Sequence, residues 1–210
     1  MFQLHLITDK GAAPDLVGAV GAALEGGVDW VQVREKSAPA QDLYETALRI
    51  GRLCRTRGAG LIINDRVDVA MATGAAGVHL AARSLPVSAV RPILSPGRLI
   101  GASVHSLAEA VAAEAAGADY VTFGSVFPSR THNWAAGQGL AALAEVVRTV
   151  RIPVVAIGGI TEENLPEVLQ TGCSGVAIIS AVLLNADPAG AAARLKAIMN
   201  RSDKEPLRRM

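Results

Sequence analysis

The chain has 210 residues, 50% of them hydrophobic but only 3% aromatic, and a formal net charge of +1. That length can bury one substantial core, which here must be built from Ala, Val, Leu and Ile. The near-neutral balance argues against a nucleic acid or a membrane surface as partner, and no apolar run reaches the roughly 18 residues a spanning helix needs.

The N-terminus, MFQLHLITDKG, has no basic segment followed by a long apolar one, so the expected location is cytoplasmic. Cys54 and Cys173 lack metal-type spacing and sit in apolar contexts, which predicts reduced, buried thiols.

In chain order, a strand is predicted from Leu4, a helix over 14–25, a strand from Trp30 and a helix over 39–56. Then come a strand from Leu61, a helix over 66–73, a strand from Val78 and a helix over 87–94. A strand from Leu99, a helix over 106–116 and a strand from Tyr120 lead into the longest loop, FGSVFPSRTHNWAAGQG. A helix over 139–149, a strand from Val154, a helix over 161–170, a strand from Val176 and a helix over 188–199 complete the series.

The runs are continuously apolar rather than alternating, as parallel strands buried on both faces require. Gly follows most helices, where a left-handed cap would exclude a Cβ. Eight such units predict a single (β/α)8 TIM barrel over residues 1–200, with a charged, disordered tail over 201–210. The Ala-rich outer helices would suit either a homo-oligomer or neighbouring helices.

In such a barrel, chemistry sits where the strands end. Gly158-Gly159 and Ile179-Ser180 close the last two strands, where backbone N–H groups commonly hold phosphate, and Thr161 is placed to cap the next helix. The alternative for the glycines is a tight turn alone. Gln32, Arg34 and Lys36 share one strand face by period two, with Glu35 on the other. They predict a second anion site, or else a salt-bridge cluster at the rim.

Asp65, after Asn64, fits either half of a magnesium site or the N-cap of the following helix. His79, His105 and His132 are each candidates for proton transfer or for a structural role, and His5 reads as structural. His132 is the one least explained by structure, because its loop is polar.

Together the stretches VQVREK, IINDRVDVA, GVHL, GASVHSLAEA, GADYVTFGSVFPS and IPVVAIGGIT resemble thiamine-phosphate synthase and its relative, the TenI-type thiazole tautomerase, over nearly the whole chain. The resemblance implies a TIM barrel that binds a small-molecule thiazole phosphate near Gly159 and Ile179–Ser180. For a synthase it implies that Gln32, Arg34, Lys36 and Asn64 hold the pyrophosphate of a pyrimidine substrate. Asp65 would be a magnesium ligand and Ser103 would lie near the pyrimidine.

Two stretches depart from the synthase pattern. Where it has Gly-Gln-Glu-Asp, the last a second magnesium ligand, this chain has Ala81-Ala82-Arg83-Ser84. Where it has Thr-x-Thr-Lys, this chain has Ser129-Arg130-Thr131-His132. These losses favour the tautomerase, which needs an acid, a base, one phosphate site and no cofactor. That branch has its catalytic histidine where Ser125 stands, so His132 is expected to move the proton, with His79 and His105 in reserve. A magnesium-dependent synthase is the alternative, and a non-catalytic binding regulator the second.

Overall fold

The computed structural model describes residues 2–9, 11–35, 37–128 and 137–204. Eight parallel strands close in sequence order: β1 (Gln3–Ile7), β2 (Trp30–Val33), β3 (Gly60–Asn64), β4 (Gly77–Leu80), β5 (Leu99–Val104), β6 (Tyr120–Gly124), β7 (Val154–Ile157) and β8 (Gly175–Ile178). Around them run α1 (Leu16–Glu25), α2 (Ala40–Arg57), α3 (Val67–Thr73), α4 (Val87–Val90), α5 (Leu107–Ala115), α6 (Gly139–Thr149), α7 (Leu165–Gln170), α8 (Ser180–Leu183) and α9 (Pro188–Lys204). This is the single (β/α)8 barrel that the strand count implies.

Strand parity divides the core in two. Leu4, Leu6, Val31, Val33, Leu61, Ile63, Val78 and Leu80 pack outward into one layer with Leu24, Leu43, Ile50, Leu143 and Leu195 of the helices. The alternate positions face the barrel axis. Both cysteines are buried and free, and burial raises both thiols, Cys54 to about 11. No described helix is long and apolar enough to cross a membrane.

Three helices differ from expectation. Pro92 has no N–H to continue a helix and would crowd the preceding turn, so α4 ends at Val90 rather than 94. Pro166 is tolerated only in a first turn, so α7 begins at Leu165 rather than 161. Thr161 therefore caps nothing; its N–H donates to Asn164 Oδ1 at 2.8 Å. The last helix runs past residue 200 to Lys204, and residues 205–210 lie outside the described range.

Closure is the pairing of β8 with β1, where Gln3 aligns with Gly175 and Leu6 with Ile178. Below it, Asp29 Oδ2 accepts from the Leu4 N–H (2.7 Å) and from Lys196 Nζ on α9 (2.5 Å), and Lys196 also donates to the Phe2 carbonyl (3.3 Å). A Cβ on Gly175 would overlap the Gln3 carbonyl, which is backbone and cannot step aside. Gly175→Ala is expected to cost about 1–3 kcal/mol, the usual scale of overpacking, read as a lower urea midpoint with unchanged slope. An unchanged midpoint would show that the β1–β8 seam has slack.

Candidate functional site

Strand ends and the loops after them enclose a cavity of about 760 Å³. Parity brings the polar strand residues into it: Gln32 on β2 and Arg34 just past its end, Asn64 on β3, His79 on β4, Ser103 on β5 and Thr122 on β6, with Asp65 joining them from the residue after β3. Arg83, His105, Ser125, Gly158 and Ile179 complete the polar and backbone wall, and Ile7 and Ile157 supply apolar surface.

Along the β2–β4 arc the groups are linked. Gln32 Nε2 donates to Asn64 Oδ1 (2.8 Å), and Asn64 Nδ2 donates to Asp65 Oδ2 (2.7 Å). Asp65 Oδ1 accepts from the Ala81 N–H (3.2 Å) and from the Ser84 hydroxyl. The Ala81 N–H also donates to Ser84 Oγ (2.8 Å), and the Ser84 N–H to the Ala81 carbonyl (2.9 Å). Asp65 adopts φ of 62°, a left-handed conformation that Asp tolerates better than most residues. It does not cap α3: the N-cap position is Arg66, which has no side-chain cap, and Arg66 instead pairs with Asp68 at 2.5 Å.

A second linked set rises from the barrel axis. His79 Nδ1 lies 3.1 Å from the Tyr120 hydroxyl, and Nε2 lies 2.9 Å from Ser103 Oγ and 3.3 Å from Thr122 Oγ1. Gly101 makes room for this group, since a Cβ there would overlap both the Tyr120 ring and His79 Nδ1. Burial lowers the His79 pKa to about 4 against a smaller opposing pull from Asp65, and it raises that of Tyr120. His79 is thus a neutral, oriented ring rather than a ready base near pH 7.

Below it, His5 stacks on Trp30 with ring centroids 6.0 Å apart, and its Nε2 has no hydrogen-bond partner among the described residues. Burial chiefly, then the charges of His79 and Lys196, lower its pKa to about 3.

The β7–β8 arc is backbone-rich. Gly158 has φ of +102°, and a Cβ there would overlap Ser125 Oγ. Ile179 carries the chain into α8, where the first N–H groups of a helix have no intrahelical acceptor. Gly159 and Ser180 adjoin this wall, one residue beyond Gly158 and Ile179. The Gly159 carbonyl accepts from Asn164 Nδ2 (2.9 Å).

The Ser125 hydroxyl donates to the Phe127 carbonyl (2.9 Å), and His105 Nδ1 donates to the Gly124 carbonyl (2.5 Å). Lys36, Ser129, Thr131 and His132 lie outside the described residues.

A family model described as thiamine monophosphate synthase matches residues 4–182. The chain belongs to the thiamine monophosphate synthase family. Among members of this family, the thiamine-phosphate synthase of Pyrococcus horikoshii is 44% identical over 94% of each chain. A solved structure of thiamine phosphate pyrophosphorylase from Pyrococcus furiosus matches with a TM-score of 0.89 at 43% identity, covering 96% of each chain. The 3-hexulose-6-phosphate synthase of Salmonella typhimurium shares the barrel alone, with a TM-score of 0.77 at 16% identity.

The synthase pattern places two carboxylates at the β3–β4 rim, and this family member has one. Asp65 spends Oδ1 on two donors and Oδ2 on a third. The β4 turn offers it an N–H and a hydroxyl, and carries Arg83 rather than a second acidic residue. Among the described residues no three His, Cys, Asp or Glu side chains group to hold a metal. A two-carboxylate magnesium site does not fit this donor set.

The sequence reading missed Thr122 and Tyr120 as partners of His79. The available signal was a lone Thr two residues before Gly124, which shares its parity in an otherwise apolar run.

Both His5 and His79 are neutral in the fold, while in the unfolded chain they bind protons below about pH 6.5. The unfolded state therefore gains protons first as pH falls. Stability present above pH 6.5 is lost toward about pH 4, by about 1.4 kcal/mol per pH unit for each histidine. His5→Phe, which keeps a ring on Trp30 and removes the unpartnered nitrogen, is expected to flatten this slope by one histidine in urea titrations across that window. The wild-type slope in the variant would rule out a neutral His5.

Proposed function

We propose that the protein is a thiamine-phosphate synthase, joining a pyrimidine methyl diphosphate to a thiazole phosphate. The observation that carries this reading is one cavity with two anion-compatible ends on separate arcs of the ring. Arg34 and Arg83 stand on the β2–β4 arc, and Gly158 and Ile179 on the β7–β8 arc. A bimolecular reaction of two phosphorylated substrates uses both ends, whereas the tautomerase needs only one. The relatives that carry the synthase name match at similar identity over almost the full chain, which supports the same reading.

In this reading the C–O bond between the pyrimidine methylene and the diphosphate breaks, and its electron pair leaves on the diphosphate. The thiazole nitrogen gives its lone pair to that methylene, forming the C–N bond of thiamine phosphate. Arg34 supplies positive charge where the diphosphate departs, in a cleft whose walls are already oriented. The linked amides of Gln32 and Asn64 fix the floor beneath it, and Ser103, set by His79, meets the pyrimidine edge. Gly158 lets the backbone approach the thiazole phosphate, with Gly159 and Ser180 beside it.

The tautomerase expectation gives way on two counts. The relatives reported above are named for the synthase or pyrophosphorylase activity. The residue at the tautomerase histidine position, Ser125, turns its hydroxyl to Phe127, and His79 is held neutral by burial.

The test is a coupling assay with pyrimidine diphosphate and thiazole phosphate, run with magnesium and again with a chelator. Thiamine phosphate and pyrophosphate are expected in equal amounts. Arg34→Ala is expected to raise KM for the diphosphate substrate by about tenfold, the scale of one charge-assisted contact. No coupling beside an active Pyrococcus synthase would overturn the reading. Interconversion of thiazole tautomers would then restore the tautomerase. Tight thiamine phosphate binding without turnover would indicate a regulator.

A further inference from the structure

Asp65 is engaged differently from a ligand awaiting an ion. Its Oδ1 gathers the Ala81 N–H and the Ser84 hydroxyl, and these two also bond to each other. The Ser84 N–H closes the turn on the Ala81 carbonyl at 2.9 Å. Four hydrogen bonds thus define the turn from Ala81 to Ser84, two of them to Asp65, which is its clasp. Arg83 is the residue this turn presents.

Arg83 is exposed, it lines the cavity, and no carboxylate pairs with it among the described residues. A cation without a counter-ion, on a turn held by a carboxylate from the neighbouring strand, is a built anion contact rather than a loose surface charge.

We propose that Arg83 is the resident cation of the β3–β4 rim, binding the substrate diphosphate without a metal, and that Asp65 is the positioning residue that clasps its turn. The proposal rests on the synthase reading for the identity of the anion. Charge supports it: two carboxylates and one divalent ion sum to zero, and Asp65 with Arg83 sum to zero without the ion. The guanidinium also offers paired N–H donors that match phosphate oxygens, so it orients the leaving group as well as neutralising it.

The experiment is calorimetric titration of inorganic pyrophosphate into the intact protein in chelator, so that binding is read apart from turnover. The wild type is expected to bind without magnesium. Arg83→Gln is expected to weaken binding about tenfold, whereas Arg57→Gln, the same charge change on outer helix α2, leaves it unchanged.

Asp65→Ala separates clasp from ligand. Removing a negative charge alone would tighten pyrophosphate. Loss of the clasp weakens it about as much as Arg83→Gln, and the double variant is no weaker than either single one. Asp65→Asn keeps an acceptor oxygen for Ala81 and Ser84 and is expected to retain binding.

Binding that requires magnesium, with Arg83→Gln behaving as wild type, overturns the proposal even where coupling activity is found. Tighter binding in Asp65→Ala likewise removes the clasp. Conversely, Arg83-dependent binding in chelator with no coupling upholds the anion site and overturns only the synthase reading.

Discussion

An eight-stranded parallel barrel leaves its axis just wide enough for side chains, so every inward position must be filled by something that fits and is satisfied. Most of this molecule's chemistry follows from that restriction. Outward strand positions are mostly Leu, Ile and Val, with Ala102 and Phe123 among them, against the helices. Inward ones include His5, Gln32, Asn64, His79, Ser103, Tyr120 and Thr122, far more polar than a buried interior ordinarily accepts. They are admitted because almost all of them bond to one another. The inward glycine Gly101 supplies the volume that Tyr120 and His79 occupy. The lower axis is a neutral, hydrogen-bonded stack, and the upper axis becomes a cavity where the same alternation meets solvent.

The two linked sets divide the work. The Tyr120–His79–Ser103 set is held uncharged by desolvation, which makes it a rigid floor with little response to charge placed above it. The Gln32–Asn64–Asp65 set carries one negative charge and passes it to the β4 turn. Among the described residues, the positive charge lining the β2–β4 arc therefore lies in two arginines, Arg34 and Arg83. A preorganised cleft of this kind needs no reorganisation when anionic charge arrives.

Much of this was legible in the sequence, because the relevant signals are local and periodic. Strand starts at Leu4, Trp30, Leu61 and Tyr120 stand within a residue of the observed ones, since continuous apolar runs between Gly-terminated helices leave few alternatives. Period two placed Gln32 and Arg34 on the cavity side. Partnership was not legible: whether Asp65 capped a helix or held the neighbouring turn depends on a contact sixteen residues along the chain. That His79 is silenced by burial required knowing that Tyr120 and Ser103 close on it from two other strands. Pro92 and Pro166 were readable stops for α4 and α7, and the apolar period masked them.

The seam pairs Gln3 of β1 with Gly175 of β8, and below it Lys196 is tied to Asp29, 167 residues away in the chain. Made from the N-terminus, the chain must carry β1 with one open edge until β8 has been synthesised, and cannot fasten its base until α9 has followed. The first-made strand is therefore the last to be completed. Unpaired strand edges of that duration invite pairing with other chains, and contacts so distant in sequence form slowly. Any product cut short before α9 would lack the clamp, and one cut short before β8 would lack the seam as well. Ribosome pausing, chaperone supply and C-terminal truncation are thus the circumstances in which this barrel is most exposed to aggregation.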